Sequence, residues 1–288
     1  MNLPLVKIRK VVPWYIKLGI KLIRGLLPIN YNIFAKLGFF RHGKMDSTAY
    51  ALDVFKKHFP NALNLPKVPF VFLEIGPGDS LFSRIIAASK GAKKSYLIDN
   101  GNFVSKDISN YLKLIEELYG IDYLKNININ TLDDIKRHFN IHYMTQGLDS
   151  LKSITNDVVD ISFSNACFEH VSCSQVPQYF KELKRVSRVN SFSSHCVDFK
   201  DHLSYSLNNL RFSKLFWESD LVKKSGIYTN RMRFSDMKVA IEQAGFNCQV
   251  SHVEKWDALP TDMSKLHSDF QTYKLEDLLV KEAWFKLT

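Results

Sequence analysis

Three groups of residues in this 288-residue chain have types and spacings suited to chemistry. The first is Glu74-x-Gly76-Pro77-Gly78-Asp79-Ser80, a glycine turn that follows an apolar run. Without Cβ atoms the two glycines let the main chain adopt strained angles and bring its N–H groups close to a flat ligand. The second is Asp99-Asn100, about 20 residues further on, where a carboxylate can accept hydrogen bonds from both hydroxyls of a ribose. A solvated turn through Asp99, Asn100 and Gly101 is the plainer reading of the same residues. The third is His195, Asp198, Asp201 and His202, with His170 upstream. Histidine titrates near neutral pH and can take a proton from a hydroxyl. His202 is the favoured base, oriented by Asp198 or Asp201, with His195 and His170 as the other candidates; helix capping is the competing role for the whole cluster. No metal is expected, because imidazoles and carboxylates at this density need no ion, although a His/Asp site would be chemically compatible.

These residues need elements to position them. Val68, Phe70, Val71, Phe72, Leu73 and Ile75 form an apolar run without alternation, as in a parallel strand covered on both faces. Further strands are expected over 95–99, 141–145, 158–163, 192–199, 248–253 and 283–287, the last antiparallel at the sheet edge. Helices are expected over 80–89, 112–120, 132–139, 175–188 and 235–244, the last with Ser235 as cap and Gly245 as stop. The alternation specifies an α/β Rossmann-like, doubly wound sheet of seven strands with helices on both faces and an added N-terminal helical segment. In such sheets ligands bind beyond the carboxyl ends of the strands, which gathers the glycine turn, Asp99, Gln146, Gly147, Asn165, Ala166 and the His/Asp cluster at one end. The dinucleotide fingerprint would require a third glycine at Leu81, so a nicotinamide cofactor is disfavoured.

The Glu74-x-Gly76-x-Gly78 signature resembles motif I of class I methyltransferases that use S-adenosylmethionine. Glu169-His170-Val171 resembles the motif IV region of the methyltransferase type 11 family. The resemblance implies that the turn passes beneath the methionine and ribose of the cofactor and that Glu74 fixes its ammonium end. It implies contacts from Glu74, Gly76, Pro77, Gly78, Asp79, Ser80, Asp99, Asn100, Gln146, Gly147, Asn165 and Ala166. Two departures stand out. Residues 188–191 replace the family's Pro-Gly-Gly turn, where Asn190 tolerates a left-handed conformation. Leu148 occupies a position often acidic, leaving adenine to Gln146, Asp149 or the main chain of Gly147. Residues 195–202, 207–212, 217–219 and 228–233, with Phe40-Arg41-His42-Gly43, are similar to a bacterial subgroup associated with surface-polysaccharide and cell-envelope biosynthesis. That likeness implies O-methylation of a sugar-like or other small-molecule acceptor, phosphorylated or lipid-linked. It also implies an acceptor-binding insertion at about 200–234, with Arg211, Arg231 and Arg233 clamping an anionic group.

The chain divides into a helical extension or lid over 1–65 and the methyltransferase domain over 66–288. Its net charge of +10 suits an anionic substrate, an anionic lipid surface or nucleic acid. Nucleic acid is disfavoured: residues 164–167 (Ser-Asn-Ala-Cys) lack the proline and aromatic ring that a flipped adenine needs. RNA methylation and a non-catalytic scaffold are the alternative functions. Residues 14–27 place Lys17, Lys21 and Arg24 as one charged stripe on an apolar helix. Such a helix either lies in a membrane interface or packs on the core with its lysines in water. No apolar span or signal-peptide core is present, so a cytoplasmic protein is expected. Cys167, Cys173, Cys196 and Cys248 have no metal-binding spacing and read as reduced thiols.

Overall fold

The computed structural model describes residues 12–26, 47–60 and 69–288. The expectations for residues 40–43, for Val68 and for the remainder of the N-terminal segment lie outside them. In chain order the elements are α1 (Trp14–Leu26), α2 (Thr48–His58), β1 (Phe70–Ile75), α3 (Phe82–Ser89), β2 (Ala92–Ile98), α4 (Ser109–Tyr119), α5 (Ile121–Lys125) and α6 (Leu132–His138). There follow β3 (Ile141–Met144), α7 (Leu148–Lys152), β4 (Val159–Asn165), α8 (Val176–Val186), β5 (Ser187–Asp198), α9 (Lys214–Trp217) and α10 (Asp220–Lys224). The chain closes with α11 (Phe234–Gln243), β6 (Cys248–Lys255), α12 (Ser268–Gln271), α13 (Leu275–Leu278) and β7 (Val280–Leu287).

The strands form one sheet in the order β3-β2-β1-β4-β5-β7-β6. The pairs among β1 to β5 are parallel, whereas β7 runs antiparallel to both β5 and β6. This is the doubly wound architecture that the sequence specifies, with the order reversing between β1 and β4. Every residue of β1 is buried, which is why its apolar run has no alternation. One apolar layer joins β1, β4 and β5 to α7, α8 and α11; the other joins the opposite face to α2, α3, α4 and α6.

Three expectations are corrected. The last strand is antiparallel but lies between β5 and β6, so β6 is the edge. Burial gives the reason: Ala283, Phe285 and Leu287 of β7 are covered, while β6 is largely exposed. The turn expected at residues 188–191 is instead a bulge inside β5. Pairing jumps from Val159 opposite Ser187 to Ile161 opposite Phe192, and Asn190 takes φ +66°. Ser235 does not cap α11. The main-chain N–H of Arg233 donates to the Asp236 carboxylate at 2.8 Å, and the Ser235 hydroxyl donates to Asp277 at 2.6 Å.

Helix α1 packs on the protein, as one of its two expected readings has it, but its lysines are half-buried and not left in water. Trp14, Leu18 and Leu22 pack on Leu203, Trp217, Val222, Ile227 and Tyr228, and Lys17 donates from Nζ to the carbonyl of Leu203 at 3.0 Å. The basic stripe is therefore half-buried, whereas Ile16, Ile20, Ile23 and Leu26 face outward. Among the described residues no helix is long and apolar enough to cross a membrane.

Candidate functional site

The glycine turn leaves β1 with Gly76 at φ +77° and Gly78 at φ +65°, angles that L side chains rarely adopt. A Cβ on Gly76 would come within 2.4 Å of the Cys167 sulfur, so the close approach of the β1 and β4 ends itself requires glycine. The Gly76 N–H donates to the carbonyl of Ile98 at 2.8 Å, and that of Gly78 donates to Asp99 Oδ2 at 3.1 Å. The Asn100 N–H donates to the other Asp99 oxygen at 2.7 Å. Asp99 is thus the junction between the first and second strand ends. Its own carbonyl accepts from the Gly147 N–H at 2.8 Å, which adds the end of β3. Gly147, at φ +54°, could carry no Cβ without meeting Asn100 Oδ1 at 2.1 Å.

Glu74 lies beneath this turn, 2% exposed, and accepts from the Ser83 hydroxyl. Burial pushes its carboxyl up to about 8; the Ser83 hydrogen bond opposes the rise and the nearby Asp99 charge adds to it. The Asp99 carboxylate and a Glu74 carboxyl group that a cation would drive to ionise, both beside a glycine cradle, suit a ligand that carries positive charge beside a diol. The sulfonium, ammonium and ribose of S-adenosylmethionine fit that donor set.

At the end of β4, Asn165 is held by a polar chain that arrives from α2. His58 is fully buried, which lowers its pKa to about 3 and keeps the imidazole neutral. With one ring N–H available, the network has one consistent direction. Lys286 donates to Ser194 Oγ at 3.0 Å, Ser194 donates to His58 Nδ1 at 2.7 Å, and His58 Nε2 donates to Asn165 Oδ1 at 3.3 Å. The next residue, Ala166, sits at φ +48°, and its N–H donates to the carbonyl of Cys196 at 3.0 Å. A non-glycine residue in that region stores strain of the kind found at functional sites.

Beyond Ala166 a single helical turn, Phe168–His170, brings Glu169 and His170 against His202 from the loop after β5. One ligand-capable atom from each of the three lies within 4.8 Å of the others, and the two imidazole rings meet edge to face at 4.9 Å. The His170 ring bonds through Nδ1 to the carbonyl of Tyr228 at 3.1 Å. Burial lowers the His202 pKa, with the Asp201 charge opposing and Lys21 and Lys200 adding to the drop.

The polar motifs between residues 207 and 233 hold this cluster in place. Asn230 donates from its side chain to the carbonyls of Phe168 and Val171, both at 2.8 Å, and from its main chain to that of Glu169 at 2.7 Å. Trp217 Nε1 donates to the carbonyl of Thr229 at 2.8 Å, Asn209 to the Thr229 hydroxyl at 3.0 Å, and Tyr228 to the Glu218 carboxylate at 2.9 Å. Most of these side chains bond to one another, so the segment positions the site more than it lines it.

Several expected roles do not survive this geometry. His195 is fully buried, bonded to Ser164 Oγ at 2.9 Å and packed against Phe168 and Phe180; burial lowers its pKa to about 3, and it cannot reach an acceptor. Asp201 accepts from the N–H groups of Leu203, Ser204 and Asn208, at 2.9, 2.6 and 2.7 Å, which makes it the anchor of the loop that carries His202. Asp198 pairs with Lys200 at 3.2 Å. Neither carboxylate is hydrogen-bonded to the His202 ring; both act on its surroundings. Arg233 is fully buried and donates to the carbonyls of Phe199 at 2.9 Å and Val280 at 2.7 Å, and Arg231 donates to that of Phe212 at 2.6 Å. These two arginines are structural cations and not an anion clamp. Sequence reasoning missed His58, whose α2 helix gave no sign of reaching β4, and it gave Glu169 no role of its own.

Neither a protein-family model nor any curated protein sequence matches the chain. Solved structures of similar shape include an S-adenosylmethionine-dependent methyltransferase from Archaeoglobus fulgidus, with TM-score 0.48 and 11% identity over 90% of this chain and 99% of that one. Another from Mesorhizobium loti has TM-score 0.44 and 14% identity over 80% and 96%. A phosphoethanolamine N-methyltransferase from Haemonchus contortus, solved with S-adenosylhomocysteine, has TM-score 0.46 and 13% identity over 87% of this chain and 54% of that one. At these values it is the strand order of the chain itself that defines its fold.

Proposed function

We propose that the chain is an S-adenosylmethionine-dependent methyltransferase that methylates a hydroxyl of a small, sugar-like acceptor in cell-envelope or polysaccharide assembly. The observation that carries this reading is the convergence of Glu74, Gly76, Gly78 and Asp99 at one end of a sheet with the order β3-β2-β1-β4-β5-β7-β6. The bound cofactor would supply an electrophilic methyl group on its sulfonium. The chain's part is to hold donor and acceptor in line and to receive the hydroxyl proton. Gly76 and Gly78 turn the main chain beneath the ligand, Gly147 lets the β3 end close on Asn100, Asp99 takes ribose, and Asn165 closes the space between the two sides. Glu169, His170 and His202 form the acceptor side, and the proton passes to this cluster.

The outward isoleucines of α1, on a chain of net charge +10, further suit contact with the anionic inner face of a membrane. There the acceptor would be lipid-linked and the protein peripheral. The test of the main reading is a binding titration of the full chain with S-adenosylmethionine and S-adenosylhomocysteine. Micromolar binding is expected, lost in Gly78→Val and Glu74→Ala, whereas a wild-type fold that gives neither heat nor thermal shift refutes it. On the acceptor side, His202→Ala is expected to keep cofactor affinity within a few-fold while transfer falls by about 10²-fold or more. Full turnover in that variant would remove His202 from the mechanism.

A further inference from the structure

The acceptor-side cluster has a feature that acid-base chemistry does not use. Glu169 is 3% exposed, and neither of its carboxylate oxygens makes a hydrogen bond of normal geometry, although the main-chain N–H groups of Glu169 and Asp198 face it. A buried carboxyl group so poorly bonded is costly in either protonation state, and native proteins retain one where it serves a ligand. The nearby cation does not serve it: Lys200 pairs with Asp198 at 3.2 Å and with Glu282 at 3.8 Å.

We infer that Glu169, His170 and His202 bind one divalent transition-metal ion. Each contributes one donor atom, and the three donors lie within 4.8 Å of one another. Bonds of about 2.0–2.2 Å to a shared ion require only a modest closing of these side chains. Two imidazoles and one carboxylate suit borderline ions such as Zn²⁺, Co²⁺ or Fe²⁺, whereas an all-oxygen set would suit Mg²⁺ or Ca²⁺. Three protein donors leave coordination positions open, the arrangement of a site that works on a substrate.

The surroundings act as an orienting shell. Asn230 fixes the main chain on both sides of Glu169, the Tyr228 carbonyl sets the His170 ring, and Asp201 anchors the loop that presents His202. Such partners determine ligand orientation and are a regular part of metal sites. The role of the ion rests on the methyl-transfer reading: an acceptor hydroxyl on an open position would lose its proton more readily, the proton leaving to solvent water at the exposed His170 side, and its oxygen would then take the methyl group as the thioether leaves. The ion then performs the task assigned above to the imidazoles alone, with His202 as its ligand. The site itself does not depend on that reading.

The test uses the tag-free full chain, stripped with a chelator and titrated with Co²⁺ alone. The expected result is a set of visible ligand-field bands that saturate at one equivalent. Glu169→Gln and His202→Ala should each weaken binding by more than the ~10–100-fold that loss of a supporting group costs. His202→Ala and His170→Ala alter accessible residues and decide the matter if Glu169→Gln fails to fold. Absence of the bands, equal affinity in the variants, or intense sulfur-to-metal charge-transfer bands that point to Cys167 or Cys173 would overturn the inference. The thermal shift with S-adenosylhomocysteine, measured on the same samples, separates the two claims. A shift without Co²⁺ binding sinks the metal site alone; Co²⁺ binding lost in the variants without any such shift sinks the methyl-transfer reading and leaves the metal site standing.

Discussion

Glu74 offers a pH experiment whose sign and size follow from its burial. Its carboxyl ordinarily titrates near 4.5 and is raised to about 8 in the fold, first by burial and further by the Asp99 charge, with Ser83 opposing. Between those two values the unfolded chain has released a proton that the folded chain still holds. Stability is therefore lost as pH rises through that window, and the loss is complete above pH 8. At 1.36 kcal/mol per unit over about 3.5 units, the cost reaches about 5 kcal/mol. Glu74→Gln has nearly the same shape, can still accept from Ser83, and cannot ionise. Urea unfolding of both proteins between pH 4.5 and 9 should give a stability difference near zero at the acid end, growing in favour of Gln to about 5 kcal/mol by pH 8. All other titrations are common to the pair and cancel. A cationic cofactor favours the ionised carboxyl, so its binding to wild type should release a proton near pH 7, and Glu74→Gln should abolish that release. A stability difference that stays flat across the range would refute the assignment of a buried, neutral Glu74.

Other expectations are simpler to measure. Gly147→Ala places a Cβ at φ +54° and 2.1 Å from Asn100 Oδ1, so urea unfolding should show a loss of about 1–3 kcal/mol, with a matching drop in cofactor affinity. His58 and His195 are held neutral with pKa values lowered to about 3 by burial, so each should cost stability as pH falls from 6.5 towards 3, at about 1.36 kcal/mol per unit. His58→Gln should lessen the acid sensitivity measured by unfolding at pH 4 to 7, and an unchanged slope would count against a neutral His58. Helix α1 should bring the protein down with anionic vesicles and release it as salt rises, because surface attraction is screened. Equal recovery from neutral vesicles, or no effect of Ile20→Glu and Ile23→Glu, would remove the membrane contact.

Local chemistry in the sequence was enough to specify the sheet and the cofactor end of the site. The run Phe70–Ile75 has no polar alternation because the strand is covered on both faces, and Gly76 and Gly78 mark a turn whose angles side-chain-bearing residues rarely adopt. The distance from that turn to Asp99 follows from one strand, one helix and the next strand, so spacing alone carries it. What tertiary structure decided depends on contacts between residues far apart in the chain. The position of β7 inside the sheet is set by which face of Phe285 and Leu287 is covered, and a strand's own sequence does not say which neighbours cover it. His195 and His202 look equivalent in sequence, but one points into the core beneath Phe168 and Phe180 while the other reaches the surface beside His170. The arginines of the 228–233 motif read as an anion clamp until their carbonyl partners, up to 47 positions away, are seen to occupy Arg233. His58 acts on Asn165 from 107 residues away, and Glu169 gains its meaning only when the loop after β5 brings His202 beside it. Composition and spacing carry short-range backbone geometry, whereas the partner that satisfies or strands a buried polar group is fixed by packing.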